Sequence, residues 1–257
     1  MNQCIHQHLN ALIQSLKLKH MKVDILNTYE ELSQKAKDII VQEIDKKRDI
    51  LLCTATGGSP TKTYNLLGKE YGVNPERFDQ LRILKLDEWG GIPMNHPATC
   101  ESYLQTHLIQ PLKISGSRYN GFYSNPADPV LECMNIQEKL DQEGPIDLCV
   151  LGLGMNGHLA FNEPADFLNA NCHVAELSAM SLEHPMASEM QIKPPYGLTL
   201  GMADIMHSRM ILILINGHQK KTIVSKFLSK KITSLVPASF LWLHPNVICL
   251  IEKDAIE

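Results

Sequence analysis

The stretch DLCVLGL, residues 147–153, runs straight into GMNGH, residues 154–158. A short, nearly continuous apolar run of this kind suits a strand covered on both faces. The pattern recurs three times. DILLCTA (49–55) precedes TGGSP (56–60), RILKL (82–86) precedes DEWGG (87–91), and MILILI (210–215) precedes NGHQK (216–220). Lys22–Leu26 and Val247–Ile251 read as further strands. Between the strands lie helix signals. Thr28-Tyr29-Glu30-Glu31 is a capping box for a helix running towards Lys47, and Ser59-Pro60 offers an N-cap and first helical residue for a helix through Leu67. Strands alternating with helices predict an α/β fold, with a mostly parallel sheet and helices on both faces. The carboxyl ends of such strands lie along one edge, where ligands bind. The four polar clusters are therefore expected to converge there.

The 257 residues show no internal repeat, low-complexity tract or linker, which predicts a single domain over residues 22–257. Ile5, Leu9, Leu12, Ile13 and Leu16 recur at helical spacing, so residues 1–21 are expected to form an N-terminal amphipathic helix extension. With 44% hydrophobic and 20% charged residues the composition is that of an ordinary globular protein. A formal charge of −4 gives no global attraction to nucleic acid or to an anionic membrane, so an anionic ligand needs a local site. No apolar run is long enough to span a membrane, and no secretory pattern opens the chain. Seven cysteines without a C-x-x-C pair fit reduced thiols and a cytoplasmic location. The eleven histidines are dispersed, and neither H-E-x-x-H nor a Cys/His cluster points to a metal.

The clusters differ in what they offer. Gly57 and Gly58 permit a tight turn and close approach to a ligand, and the amides at the helix start that follows suit a phosphate. The alternative is a strand-to-helix turn that binds nothing. Lys220 is placed to add a cation to the same phosphate, or is merely solvated. Asp87 and Glu88 end a buried strand, where an acid serves as a helix cap, a surface charge or a general base. His158 lies just past a buried strand with Glu163 five residues on. A carboxylate can fix the tautomer of an imidazole that shuttles protons near neutral pH. A core histidine satisfied by carbonyls is the alternative.

Five motifs occur in a particular order: GGSP (57–60), LDEWGGIPMNHPATCESYL (86–104), GLGMNGHLAFNEPA (152–165), GLTLGMADI (197–205) and NGHQK (216–220). Together they resemble the glucosamine-6-phosphate deaminase/isomerase family, and within it the galactosamine-6-phosphate isomerase (deaminase) branch. The resemblance runs from about Lys22 to about Ile251. It implies a modified doubly wound, Rossmann-like sheet with the site at the strand ends. By the same resemblance Asp87 is the base that moves a proton from C2 to C1 of the open-chain sugar. His158 helps open the ring, positioned by Asn156 and Glu163, while Thr56, Gly57, Gly58, Ser59 and Lys220 wrap the 6-phosphate. No metal and no organic cofactor are implied. The expected partner is a small phosphosugar, galactosamine 6-phosphate being converted to tagatose 6-phosphate and ammonia. Relatives range from monomers to hexamers, so a homo-oligomer is admitted.

Three departures qualify the expectation. Many relatives carry an acid where Asn156 stands, which leaves the carboxylate of the relay to Glu163. Glucosamine-type deaminases carry an arginine in the lid after GHLAFNEP, whereas residues 181–193 (SLEHPMASEMQIK) have none; His184 and Lys193 are the candidates to replace it. Regulated relatives place basic residues where His173 and Ala175 stand, so no allosteric activation is expected. The rival readings are a glucosamine-6-phosphate deaminase, a 6-phosphogluconolactonase-like hydrolase and a non-catalytic sugar-phosphate sensor. The FNEP sequence argues against the hydrolase. The sensors carry a DNA-binding helix-turn-helix, for which the residues before Lys22 are too few.

Overall fold

The computed structural model describes residues 21–188 and 190–257. The expected N-terminal helix lies outside these residues except for Met21, which is buried and non-helical immediately before the first strand. Ten strands are present among the described residues: β1 (Lys22–Leu26), β2 (Leu51–Thr54), β3 (Arg82–Lys85), β4 (Asp87–Gly90), β5 (Tyr119–Asn120), β6 (Leu148–Gly152), β7 (His173–Ala175), β8 (Tyr196–Thr199), β9 (Met210–Ile215) and β10 (Val247–Glu252). Seven form one sheet in the order β1-β10-β9-β6-β2-β3-β5, and every neighbouring pair is parallel.

Side chains in these strands alternate between two buried layers. Ile211, Ile213 and Ile215 of β9 join one apolar cluster, and Met210, Leu212 and Leu214 join the other. Cys53 and Cys149 fall in the first cluster and Leu52 and Val150 in the second. A continuous apolar run is thus a two-sided strand with helices over both faces. The chain leaves β2 for β3 on one side and later returns to lay β6 on the other. The crevice between the carboxyl ends of β2 and β6 is therefore a topological switch point, the place where such sheets bind ligands.

Two local expectations are corrected. The helix after β2 spans Gly58–Val73, longer than the run to Leu67, and its N-cap is Gly57 at φ +95. Ser59 sits inside the first turn, with its hydroxyl free for tertiary contacts. At the earlier helix, Tyr29–Lys46, Thr28 caps Glu31 N–H, but the Glu31 carboxylate accepts from Asn27 N–H, so the box is only half formed.

DEWGG is not a loop at a strand end. Leu86 N–H still donates to Thr54 C=O in the large sheet, while Leu86 C=O accepts from Leu200 N–H. The chain thereby passes into a second, antiparallel sheet of order β4-β8-β7, in which Asp87 pairs with Thr199. Trp89, Phe161 and Ala175 form a small apolar cluster there with Cys100, Ala187 and Met190. The alternation of DEWG gave no apolar face long enough to announce a strand. The outcome is a paired shelf at the mouth of the switch point, with Asp87 at its inner end.

Candidate active site

A cavity of about 560 Å³ opens at this edge. Thr56, Gly57, Gly58, Ser59, Asp87, His158, His184 and Lys220 all line it, so three of the four clusters and the start of the fourth meet as their positions in the sheet required. Asn156 and Glu163 stand behind His158.

On the first wall the loop after β2 bends at Gly57, a left-handed conformation that glycine adopts without steric cost. The Gly57 C=O accepts from Thr61 Oγ1 at 2.8 Å and from Tyr103 OH at 2.9 Å, which fixes the loop. The helix start leaves first-turn amides outside the helical ladder. Ser59 Oγ donates to Asn216 Oδ1 at 2.6 Å, and Lys220 Nζ donates to Ser59 Oγ at 3.3 Å. Burial lowers the Lys220 pKa to about 8. The ammonium, the hydroxyl and the helix N-terminus together form a site of anion character.

On the second wall Asp87 is buried, and burial, reinforced by the charge of Glu88, pushes its pKa up to about 7 against the opposing influence of Lys85 and Cys100. The Cys100 thiol points at Asp87 Oδ1 at 3.9 Å. Glu88, wholly buried, turns away from the cavity. It accepts from Lys85 Nζ at 2.7 Å and from the N–H groups of Trp89, Cys100 and Glu101, each at 2.8 Å. Lys85 is shared with Glu101 Oε2 at 2.8 Å. Burial works against the Lys85 charge, but the two glutamates outweigh it and raise its pKa. A satisfied ion cluster thus lies under an aspartate whose pKa burial has raised. The consecutive acids are placed differently: Glu88 ties down the backbone, and Asp87 faces the cavity, where a carboxylate of raised pKa can act as a base.

On the third wall the His158 ring lies against the Gly154 backbone, where a Cβ would come within 2.2 Å of the ring. Its Nδ1 is 3.4 Å from Glu163 Oε2 and 3.4 Å from Ser181 Oγ. Asn156 Nδ2 donates to Glu163 Oε2 at 2.7 Å, and Asn156 Oδ1 accepts the His158 N–H at 3.0 Å. Burial opposes the Glu163 charge, but His158 and the hydrogen bonds from Ser181 and Asn156 prevail and hold its pKa at about 2. An imidazole backed by a fixed anion is equipped to gain and lose a proton at its other nitrogen.

The two lid candidates separate. His184 lines the cavity; its Nδ1 accepts Met186 N–H at 3.3 Å, which leaves Nε2 as the protonated nitrogen, and that atom would stand 3.5 Å from a Cβ on Gly57. Burial, with the charges of His158 and Lys220, lowers its pKa, so it is a neutral donor. Lys193 does not reach the cavity. Its Nζ donates to Leu182 C=O and Ala187 C=O, each at 3.2 Å, and so braces the segment from behind.

Sequence reasoning missed Ser181, Asn216 and Cys100 as members of the site. Asn216 stands within the cluster NGHQK and was legible as part of a strand end, but serine and cysteine in a segment without periodicity carry no signal of their own. Among the described residues no group of three or more His, Cys, Asp or Glu side chains is arranged to hold a metal ion. No helix among them is long and apolar enough to cross a membrane.

Residues 26–249 match the family model described as glucosamine-6-phosphate isomerases/6-phosphogluconolactonase. AgaI of Escherichia coli (strain K12), named provisionally as a deaminase, is 38% identical over 227 residues, covering 88% of this chain and 90% of that protein. The glucosamine-6-phosphate deaminase of Geobacillus sp. (strain WCH70) is 35% identical over 243 residues, 92% of this chain and 95% of its own. Among solved structures, a monomeric glucosamine-6-phosphate deaminase superposes with a TM-score of 0.86 at 33% identity, over 92% of this chain and 100% of that one. The 6-phosphogluconolactonase of Trypanosoma brucei shares the fold, with a TM-score of 0.72 at 22% identity over 91% of this chain and 97% of that one. By sequence over most of its length and by the architecture that carries the site, the chain belongs to the glucosamine-6-phosphate isomerase/6-phosphogluconolactonase family.

Proposed function

We propose that the protein isomerises and deaminates an amino-sugar 6-phosphate, with galactosamine 6-phosphate as substrate and tagatose 6-phosphate and ammonia as products. One observation carries this reading: Asp87, His158 and the Ser59–Lys220 anion site face a single cavity of about 560 Å³. The deaminase relatives support the reaction class. The galacto epimer rests on the motif resemblance, and AgaI, at 38% identity, stands beside glucosamine-6-phosphate deaminases at 32–35%.

The geometry suits each step. The phosphate binds at the Gly57–Ser59 turn and Lys220, which holds C1 and C2 against the second and third walls. His158 takes the proton of the anomeric hydroxyl and returns one to the ring oxygen as the C1–O5 bond opens. Asp87, with a pKa of about 7, takes the C2 proton of the aldehyde form and delivers it to C1, while O1 gains the proton that the amino group gives up, leaving an imine at C2. Water adds to that carbon, and ammonia leaves as the ketone forms. One water is consumed and one ammonia released. His184 Nε2–H faces Gly57 and takes a phosphate oxygen in place of the absent arginine.

The test is ammonia release and ketose 6-phosphate formation from galactosamine 6-phosphate and glucosamine 6-phosphate side by side. Higher kcat/KM on the galacto sugar is expected. Preference for the gluco sugar overturns the epimer assignment alone. Inertness on both, with hydrolysis of 6-phosphogluconolactone, overturns the reaction class.

A further inference from the structure

Ser181 stands between His158 and Glu163 on the third wall. It belongs to the short helix Ala179–Leu182, is 3% exposed, and gives its N–H to Ser178 Oγ at 3.1 Å. Its hydroxyl donates to Glu163 Oε1 in a short contact. With that proton committed, a lone pair of Ser181 Oγ remains for His158 Nδ1, 3.4 Å away. Asn156 cannot serve the ring. Its carbonyl oxygen holds the His158 main-chain N–H, and its amide nitrogen, a donor, is given to Glu163 Oε2. The Nδ1 hydrogen therefore has two acceptors, Glu163 Oε2 directly and Glu163 Oε1 through the Ser181 hydroxyl.

We infer that Ser181 is a positioning residue for sugar ring opening, which holds His158 with Nδ1 protonated and Nε2 free to exchange protons with the substrate. This rests on the amino-sugar phosphate reading. Nε2 takes the O1 proton as the C1=O1 bond forms and the C1–O5 electron pair moves to O5, and the same proton then passes to O5. The Nδ1–H and Ser181 O–H bonds stay intact throughout and orient the imidazolium against the Glu163 carboxylate. The helix bearing Ser181 contributes Met180 and Ser181 to the cavity wall, and Glu183 to Met186 continue it. Ring opening is thus tied to the seating of this segment.

Ser181→Ala and Ser181→Thr are compared with the wild type on whichever epimer is the better substrate, protonated or deuterated at C2. Ser181→Ala is expected to lower kcat/KM by about tenfold to a hundredfold, with a C2 deuterium isotope effect no larger than that of the wild type, because ring opening becomes more rate-limiting. Ser181→Thr restores the hydroxyl and most of the rate. Unchanged kcat/KM in Ser181→Ala overturns the inference. So does a loss accompanied by an isotope effect larger than that of the wild type, which moves the defect to the Asp87 step, or a loss that threonine does not rescue, which marks a packing role. Wild-type protein inert on both amino sugars retires the functional reading itself.

Discussion

Lys220 and Ser59 lie 161 residues apart and meet through a 3.3 Å hydrogen bond from Nζ to Oγ. Ser59 follows β2 and Lys220 follows β9, and in the sheet β6 lies between those two strands. The pair therefore reaches across the end of β6, beside the loop that carries His158. Its partner is a hydroxyl rather than a carboxylate, so the ammonium is withdrawn from water without a compensating charge. That is why burial brings its pKa down to about 8.

A phosphate ligand supplies the missing charge. In the free protein Lys220 loses its proton near pH 8, so affinity for inorganic phosphate or substrate is expected to fall as pH rises through 8, by up to about tenfold per further pH unit. Titration calorimetry from pH 7.5 to 9.5 measures it, and Lys220→Met should flatten the profile. The sign for stability follows from the folded pKa lying below the unfolded one. Between pH 8 and 10.5 the folded state binds fewer protons and stability rises with pH. Lys220→Met should accordingly raise Tm at pH 7 while lowering phosphate affinity.

Asp87 predicts an activity limb on the acid side. As a base it must be ionised, so kcat/KM should climb with pH through about 7. Its folded pKa is raised above 3.8, so the folded state holds the proton more tightly and stability declines as pH rises from about 4 to 7. Asp87→Asn removes that cost. It should abolish turnover and stabilise the protein at pH 7.5 by on the order of a few kcal/mol, read from parallel assays and denaturation curves. Full turnover in Asp87→Asn would sink the assignment of the base.

Six of the seven strands of the large sheet were legible, those covered on both faces because such burial leaves its mark as unbroken apolar runs, of which MILILI is the clearest; β5, only Tyr119–Asn120, was not. The small antiparallel sheet was not, since four residues such as DEWG and three such as HVA carry no period, and their pairing is long-range. For the site, residues at strand ends were readable by position: Gly57, Asp87, His158 and Lys220 all reach the cavity. The segment over the cavity was not readable. Lys193 was a candidate to replace the lid arginine, but its ammonium caps two carbonyls of its own segment. Ser181 had no chemical signature until its neighbours were known.

Glu163 is predicted to act as an anion that never takes the proton. With its pKa held at about 2 it stays ionised throughout the neutral and mildly acidic range. Its stabilising contribution is present above about pH 4.5 and is lost as pH falls towards 2. Glu163→Gln deletes the charge facing His158 and disturbs the bonds from Ser181 and Asn156. It should lower kcat by about 10²-fold or more and cost roughly 1–3 kcal/mol at pH 7. A variant with unchanged kcat and lowered stability would reduce Glu163 to a structural anchor.

The closest steric test of the third wall is Gly154→Ala. A Cβ there would stand 2.2 Å from His158 Cδ2 and 2.3 Å from Nε2, distances at which something must move. The backbone of the loop is held by Gly154 N–H to His158 C=O at 3.1 Å and by Gly157 N–H to Gly154 C=O at 3.0 Å. The ring is therefore what yields, and its displacement breaks the alignment with Glu163 and Ser181. Expected is a fall in kcat/KM of about 10²-fold or more, in line with the sensitivity of catalysis to an ångström of misplacement, with the fold retained by circular dichroism. Gly72→Ala is the control, because a Cβ there meets nothing within 4 Å and alanine favours the helix. Gly72→Ala should keep full activity and gain about 0.5–1 kcal/mol. Near wild-type turnover in Gly154→Ala would mean that the working imidazole does not lie on this glycine, and the relay through Nδ1 would have to be redrawn.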